Sequence, residues 1–142
     1  MADPFSVAAS AITLIGISSN CAKCLFDLIQ HLRYAPAELQ ALSNEVNDLK
    51  VVLHQIRDVC RLVEEDSTPA MGFLSTAGEQ LGNATEILTE LERLLPELPA
   101  KKVSGRWKWE RRRPRAKILL GKLQDIKSNL TGLLALSSAI AT

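Results

Sequence analysis

The stretch Leu39–Val63, LQALSNEVNDLKVVLHQIRDVCRLV, decides the fold. Its apolar residues Leu39, Leu42, Val46, Leu49, Leu53, Ile56, Cys60 and Val63 are spaced 3, 4, 3, 4, 3, 4, 3. A helix turns once in about 3.6 residues, so this alternation keeps a single narrow seam on one face and predicts left-handed, coiled-coil-like packing against a neighbour. Asn44, Glu45, Asp48, Lys50, Arg57 and Asp58 fall off the seam, where water solvates them. Pro36 precedes the helix, and the run from Glu64 to Pro69 breaks it.

The same spacing recurs downstream through Leu74, Ala77, Leu81, Ala84, Leu88, Leu91 and Leu95, until Pro96 and Pro99 end the pattern. A last helix is predicted from about Arg115 to Ile140, with its seam on Leu119, Leu123, Ile126, Leu130, Leu133, Ser137 and Ile140. Pro114 is expected to delay its start, because a proline inside a helix removes a hydrogen bond and clashes with the preceding turn. Upstream, Pro4 to Arg33 reads as the first helix: Pro4 suits the first helical position, Asp3 suits the cap, and Pro36 lies beyond the end. No alternating strand pattern competes. The expected architecture is all-α, an up-down-up-down four-helix bundle with a basic, tryptophan-containing linker (Lys101 to Arg115) before the last helix. A chain of 142 residues is one domain in size, and the ending at Ala141-Thr142, with no glycine or proline stop, suggests the N-terminal fragment of a larger multidomain protein.

Charge is divided along the chain. Residues 1–100 carry a net of −8 and residues 101–142 a net of +9, for +1 in total. Nine of the cations cluster between Lys101 and Lys117: Lys101, Lys102, Arg106, Lys108, Arg111, Arg112, Arg113, Arg115 and Lys117, with Trp107 and Trp109 among them and Glu110 the sole acid. Three readings stay open: a surface for anionic lipid, since basic residues are drawn to the leaflet and tryptophan to the headgroup region; a structural partner for the acidic faces of helices two and three; or a nucleic-acid contact, which is not the expected one.

The opening helix is the second signal. Between Asp3 and Lys23 there is no charge. Pro4 to Ala22 would reach about 28 Å as a helix at ~1.5 Å per residue, close to the ~30 Å hydrocarbon core. Ser6, Ser10, Thr13, Ser18, Ser19 and Asn20 make it a poor permanent span. It fits either a core helix or one that inserts when freed.

Catalysis is not expected. His31 and His54 lie inside helical segments, no glycine-rich phosphate loop occurs, and no nucleophile has a base and an orienting group beside it in the pattern. Cys21 and Cys24 form a Cys-x-x-Cys pair inside a helix rather than at its start after a strand, so zinc or redox chemistry is not expected, and neither is any cofactor. With Cys60 the cysteine count is odd and no secretory signal is apparent, which points to a reducing, intracellular setting.

The opening Met1-Ala2-Asp3-Pro4-Phe5-Ser6-Val7-Ala8-Ala9-Ser10-Ala11-Ile12 resembles the start of the fungal HeLo-like N-terminal domain. The Leu39, Leu42, Glu45, Val46, Leu49, Leu53 pattern is similar to that family's second helix, and Trp107 with Leu119, Leu123, Lys127 and Leu130 to its last block. The resemblance implies the N-terminal domain of an NLR-like or ankyrin-bearing fungal protein, kin to the HeLo domain of incompatibility proteins and to the bundle of the mixed-lineage kinase-like pseudokinase. It further implies a cell-death or signalling module that self-associates on activation by downstream domains and moves from cytoplasm to plasma membrane. Phe5, Val7, Ile12, Leu14, Ile15 and Ile17 would then insert, while the basic cluster and both tryptophans would hold anionic lipid.

Overall fold

A computed structural model describes the backbone of residues 4–31, 37–66, 71–95 and 102–141, and the side chains of residues 4–30, 37–62, 72–95 and 110–136. The described residues form four helices: α1 (Pro4–His31), α2 (Ala37–Asp66), α3 (Met71–Leu94) and α4 (Lys102–Ala141). All lie within the expected all-α bundle.

The seam read from α2 is its buried face: Leu39, Leu42, Val46, Leu49, Leu53, Ile56 and Cys60 are all buried. The α3 seam is buried in full, from Leu74 to Leu95. In α4 the buried line runs Ala116, Leu119, Leu123, Ile126 and Leu130, with Leu120, Leu133 and Leu134 partly covered beside it. The α1 core face runs Val7, Ala11, Leu14, Ser18, Cys21, Leu25 and Leu28, spaced 4, 3, 4, 3, 4, 3. All four helices therefore pack through one heptad rule.

Polar contacts fix the helix directions. On α2, Arg113 meets Glu38 and Lys127 meets Glu45 and Asp48, so α2 and α4 run parallel. On α3, Arg115 meets Glu90 while Asn129 donates to Gln80, so α3 and α4 run antiparallel. Short connections leave α1 opposed to α2, and α2 to α3, giving the up-down-up-down course. The ring order is α1-α2-α4-α3: α1 packs on α2 and α3, α4 packs on α2 and α3, and the pairs α1/α4 and α2/α3 lie across the diagonals. The first helix thus occupies a corner, not the centre.

One expectation is corrected. The basic segment from Lys102 to Arg115 is not a linker; it is the first third of α4, and Pro114 sits inside the helix rather than before it. Lys101 itself lies outside the described residues. Pro114 is exposed, and its flanking residues are tied to two different helices, Arg113 to α2 and Arg115 to α3. Ala116 and Leu119 are buried just beyond it, and that packing favours continuing the helix through a residue that by itself would break it.

Candidate functional site

Two surfaces carry the residues that the sequence singles out. The first is the outward side of α1. Pro4–Gln30 is long and apolar enough to cross a membrane by length and composition. Its apolar residues divide between two faces. Val7 and Leu14 are in the core, Leu14 only 1% exposed, and Ile15 and Ile17 are packed partly against it. Phe5, at 73% exposure, and Ile12, at 49%, point to water, as does Phe26 further along. The expected inserting set is therefore not one contiguous patch in the packed bundle.

Between those outward apolar positions lie small or weakly polar residues, Ala9, Ser10, Thr13 and Gly16, all exposed. The Thr13 hydroxyl donates to the Ala9 carbonyl at 3.1 Å, so the helix itself satisfies its proton. The inner face holds an anomaly: the Ser18 hydroxyl is fully buried and has no hydrogen-bond partner. A leucine would be expected at that seam position, and an unmatched buried hydroxyl costs stability. The smaller side chain leaves this interface of α1 less apolar than those of the other helices.

A few polar contacts hold α1 to α3. The Asn20 amide donates to Glu92 at 3.1 Å, and the Cys21 thiol points at the Leu88 carbonyl at 3.8 Å. Burial pushes that thiol up to about 12, with Glu92 and Cys24 adding to the effect, so it stays protonated and poorly nucleophilic. Cys24 is half-buried one turn on, and none of the three cysteines is in a disulfide. No group of three metal-capable side chains gathers among the described residues.

The second surface is the basic part of α4. Both Nε and Nη2 of Arg113 donate to Oε1 of Glu38, at 2.9 and 2.5 Å, and Lys117 approaches the same oxygen at 3.8 Å. The Arg115 guanidinium grips both oxygens of Glu90 in a bidentate pair. Lower down, Lys127 bridges Glu45 at 2.8 Å and Asp48 at 3.4 Å. The carboxylates respond: Glu38 is held below the usual range by its own backbone N–H and by Arg113, and Glu90 by Arg115. Arg115 and Lys127 are in turn held above theirs by their acidic partners.

Of the expected lipid-binding cations, then, Arg113, Arg115 and Lys117 are paired at the surface with acids of α2 and α3. Arg111 is exposed and Arg112 half-buried. Lys102, Arg106, Trp107, Lys108 and Trp109 are on the helical backbone of α4, but their side chains lie outside the described residues, as does Lys101 altogether. The acids that meet the basic segment, Glu38 and Glu90, were not singled out from the sequence. Their signal was available, since each belongs to the acidic part of the charge split and lies off a seam.

Residues 2–102 match the family described as "Pigment biosynthesis cluster protein PigL N-terminal". The match covers well over half of the chain. The chain belongs to this family. In the PigL N-terminal match the first three helices are included, and its end coincides with Lys102, the first residue of α4. No curated protein and no solved structure gives a significant match.

Proposed function

We propose that this PigL N-terminal family member is a HeLo-like, non-catalytic signalling or cell-death domain, the N-terminal part of a larger fungal NLR-like protein, that acts at the plasma membrane. At rest it is cytoplasmic. On activation by downstream domains, copies associate, α1 leaves its corner and enters anionic lipid, and the basic part of α4 holds the assembly on the surface.

One observation carries the reading: α1 is charge-free from Pro4 to Ala22, yet packs with only one face, leaving Phe5 and Ile12 in water. A bundle helix with no other task would carry charged residues on that outer face, where this one has uncharged Ser6, Ser10 and Thr13 beside Phe5 and Ile12. A lipid-facing helix must satisfy its backbone internally, which a helix does, and Thr13 adds its hydroxyl to that internal bonding. The family description as an N-terminal region supports placement at the head of a longer chain.

Dye leakage from anionic liposomes tests it. The domain is expected to release dye, and Ile12→Lys to suppress release while leaving the melting temperature nearly unchanged. Undiminished leakage by Ile12→Lys would sink insertion of α1.

A second reading is a soluble adaptor that signals through helix contacts and never meets a bilayer. The pairing of Arg113, Arg115 and Lys117 with Glu38 and Glu90 favours it, because those cations already have protein partners. It predicts no sedimentation with lipid under any condition.

A further inference from the structure

We infer that Glu38 and Glu90 form an internal latch that competes with anionic lipid headgroups for Arg113 and Arg115, so that the domain's affinity for a membrane is set by these two acids. This rests on the membrane reading above and adds its regulation.

The geometry has three parts. First, the two arginines flank Pro114 and reach in different directions, Arg113 to α2 and Arg115 to α3. One short segment of α4 is therefore pinned at two points on two helices. Second, each acid mimics what a headgroup presents. Glu90 offers two oxygens to one guanidinium, the fork-to-fork geometry that also suits a phosphate or a serine carboxylate. Glu38 gathers Arg113 and Lys117 on one oxygen, as a headgroup oxygen would. Third, the pairs are reachable. The Arg113 and Arg115 side chains remain 41% and 45% exposed while bonded, so a competing anion can approach without prior unfolding.

Exposed ion pairs exchange readily because water competes for both partners. A charged leaflet shifts that exchange, since it offers many anions at once and favours each basic residue near it. The backbone aids the swap as well. Pro114 cannot donate the hydrogen bond that would otherwise tie it to the preceding turn, so α4 is weakest at the point both latches span. In the resting bundle the latch offsets the positive charge that α4 presents; on an anionic surface, exchange of partners makes that charge available to the lipid.

Co-sedimentation of the whole chain with phosphatidylcholine vesicles, with and without phosphatidylserine, tests this. Glu38→Gln with Glu90→Gln is expected to tighten binding to the phosphatidylserine vesicles by about fivefold for each arginine released. Glu79→Gln with Asp125→Asn changes net charge equally at exposed sites more than two helical turns from the latch, and is expected to give a smaller gain. Glu38→Asp with Glu90→Asp shortens both acids at constant charge, so a gain there excludes bulk charge and serves if the glutamine pair melts early. If wild type binds and neither latch variant binds better than the Glu79/Asp125 control, the latch is wrong and the membrane reading stands. If no variant binds phosphatidylserine vesicles, both fall. Inorganic phosphate that removes the gain at concentrations matching the lipid headgroups would mark the competitor as a free anion and overturn the lipid assignment.

Discussion

Leu14 and Ile12 lie two residues apart on α1 and face opposite ways, so truncating each to alanine separates packing from exposure. Leu14 is 1% exposed, and removing such a side chain costs about 2.7–5 kcal/mol, the lost transfer energy plus the cavity left behind. Ile12 is 49% exposed, so only about half of the ~1.5–3 kcal/mol of full burial is at stake. Alanine's better helix propensity returns a few tenths of that. For a domain of this size a kcal/mol moves the melting temperature by about 3 °C. Leu14→Ala is therefore expected to melt roughly 8–15 °C lower, and Ile12→Ala within about 3 °C of wild type, in far-ultraviolet circular dichroism. Leakage should move in opposite directions. Leu14→Ala weakens the hold of the bundle on α1 while leaving the helix apolar, so dye release should quicken. Ile12→Lys leaves the hold intact and penalises lipid, so release should slow. Equal loss of melting temperature from the two alanine variants would refute the assignment of an outward face to Ile12. Slower leakage from Leu14→Ala would refute the idea that core packing restrains insertion.

Three further outcomes follow from the polar contacts and from Pro114. Because Glu38 and Glu90 are held below their ordinary value of 4.5, their contribution to stability is complete above that value and lost as pH falls through the lower folded values. Melting temperature should hold steady down to about pH 5 and then drop, more steeply in wild type than in Glu38→Gln with Glu90→Gln; equal slopes would show that the pairs add nothing. A thiol reagent at mildly alkaline pH should modify half-buried Cys24 first and Cys21 only on unfolding, since burial suppresses the Cys21 thiolate; mass mapping of early adducts on Cys21 would contradict this. Pro114→Ala should raise stability by about 1–3 kcal/mol by restoring a helix hydrogen bond, and a fall in melting temperature would instead mean that the proline is what aligns Arg113 and Arg115 with their acids.

The helices were legible because leucine at heptad spacing has one physical solution. In α2 every described seam position from Leu39 to Cys60 is buried, and α3 is the same from Leu74 to Leu95. In α1 the spacing was equally regular but hidden. Ala11, Ser18 and Cys21 occupy its seam, while Phe5, Ile12 and Phe26 stand outside it, so hydrophobicity alone could not pick the inner face. The start of α4 was misjudged for a different reason. Pro114 is a valid local stop signal, and what overrides it is tertiary: the burial of Ala116 and Leu119 against helices remote in sequence. Ring order could not be read either, since identical seams on four helices do not say which pairs are neighbours. The two candidate surfaces were visible as a charge-free run and a basic run. Which of their residues are already occupied was not, because that depends on where Glu38 and Glu90 come to lie.

The corner position of α1 has one more consequence. Because α4 touches both α2 and α3, those three would stay joined if the first helix departed. What α1 vacates would be a furrow walled by α2 and α3 and lined by leucines of their buried faces, and water tolerates such a trough badly. Ejecting the helix and acquiring a reason to stick to another copy are, in this arrangement, a single event: the protein cannot extend its greasy arm without also baring the socket it came from.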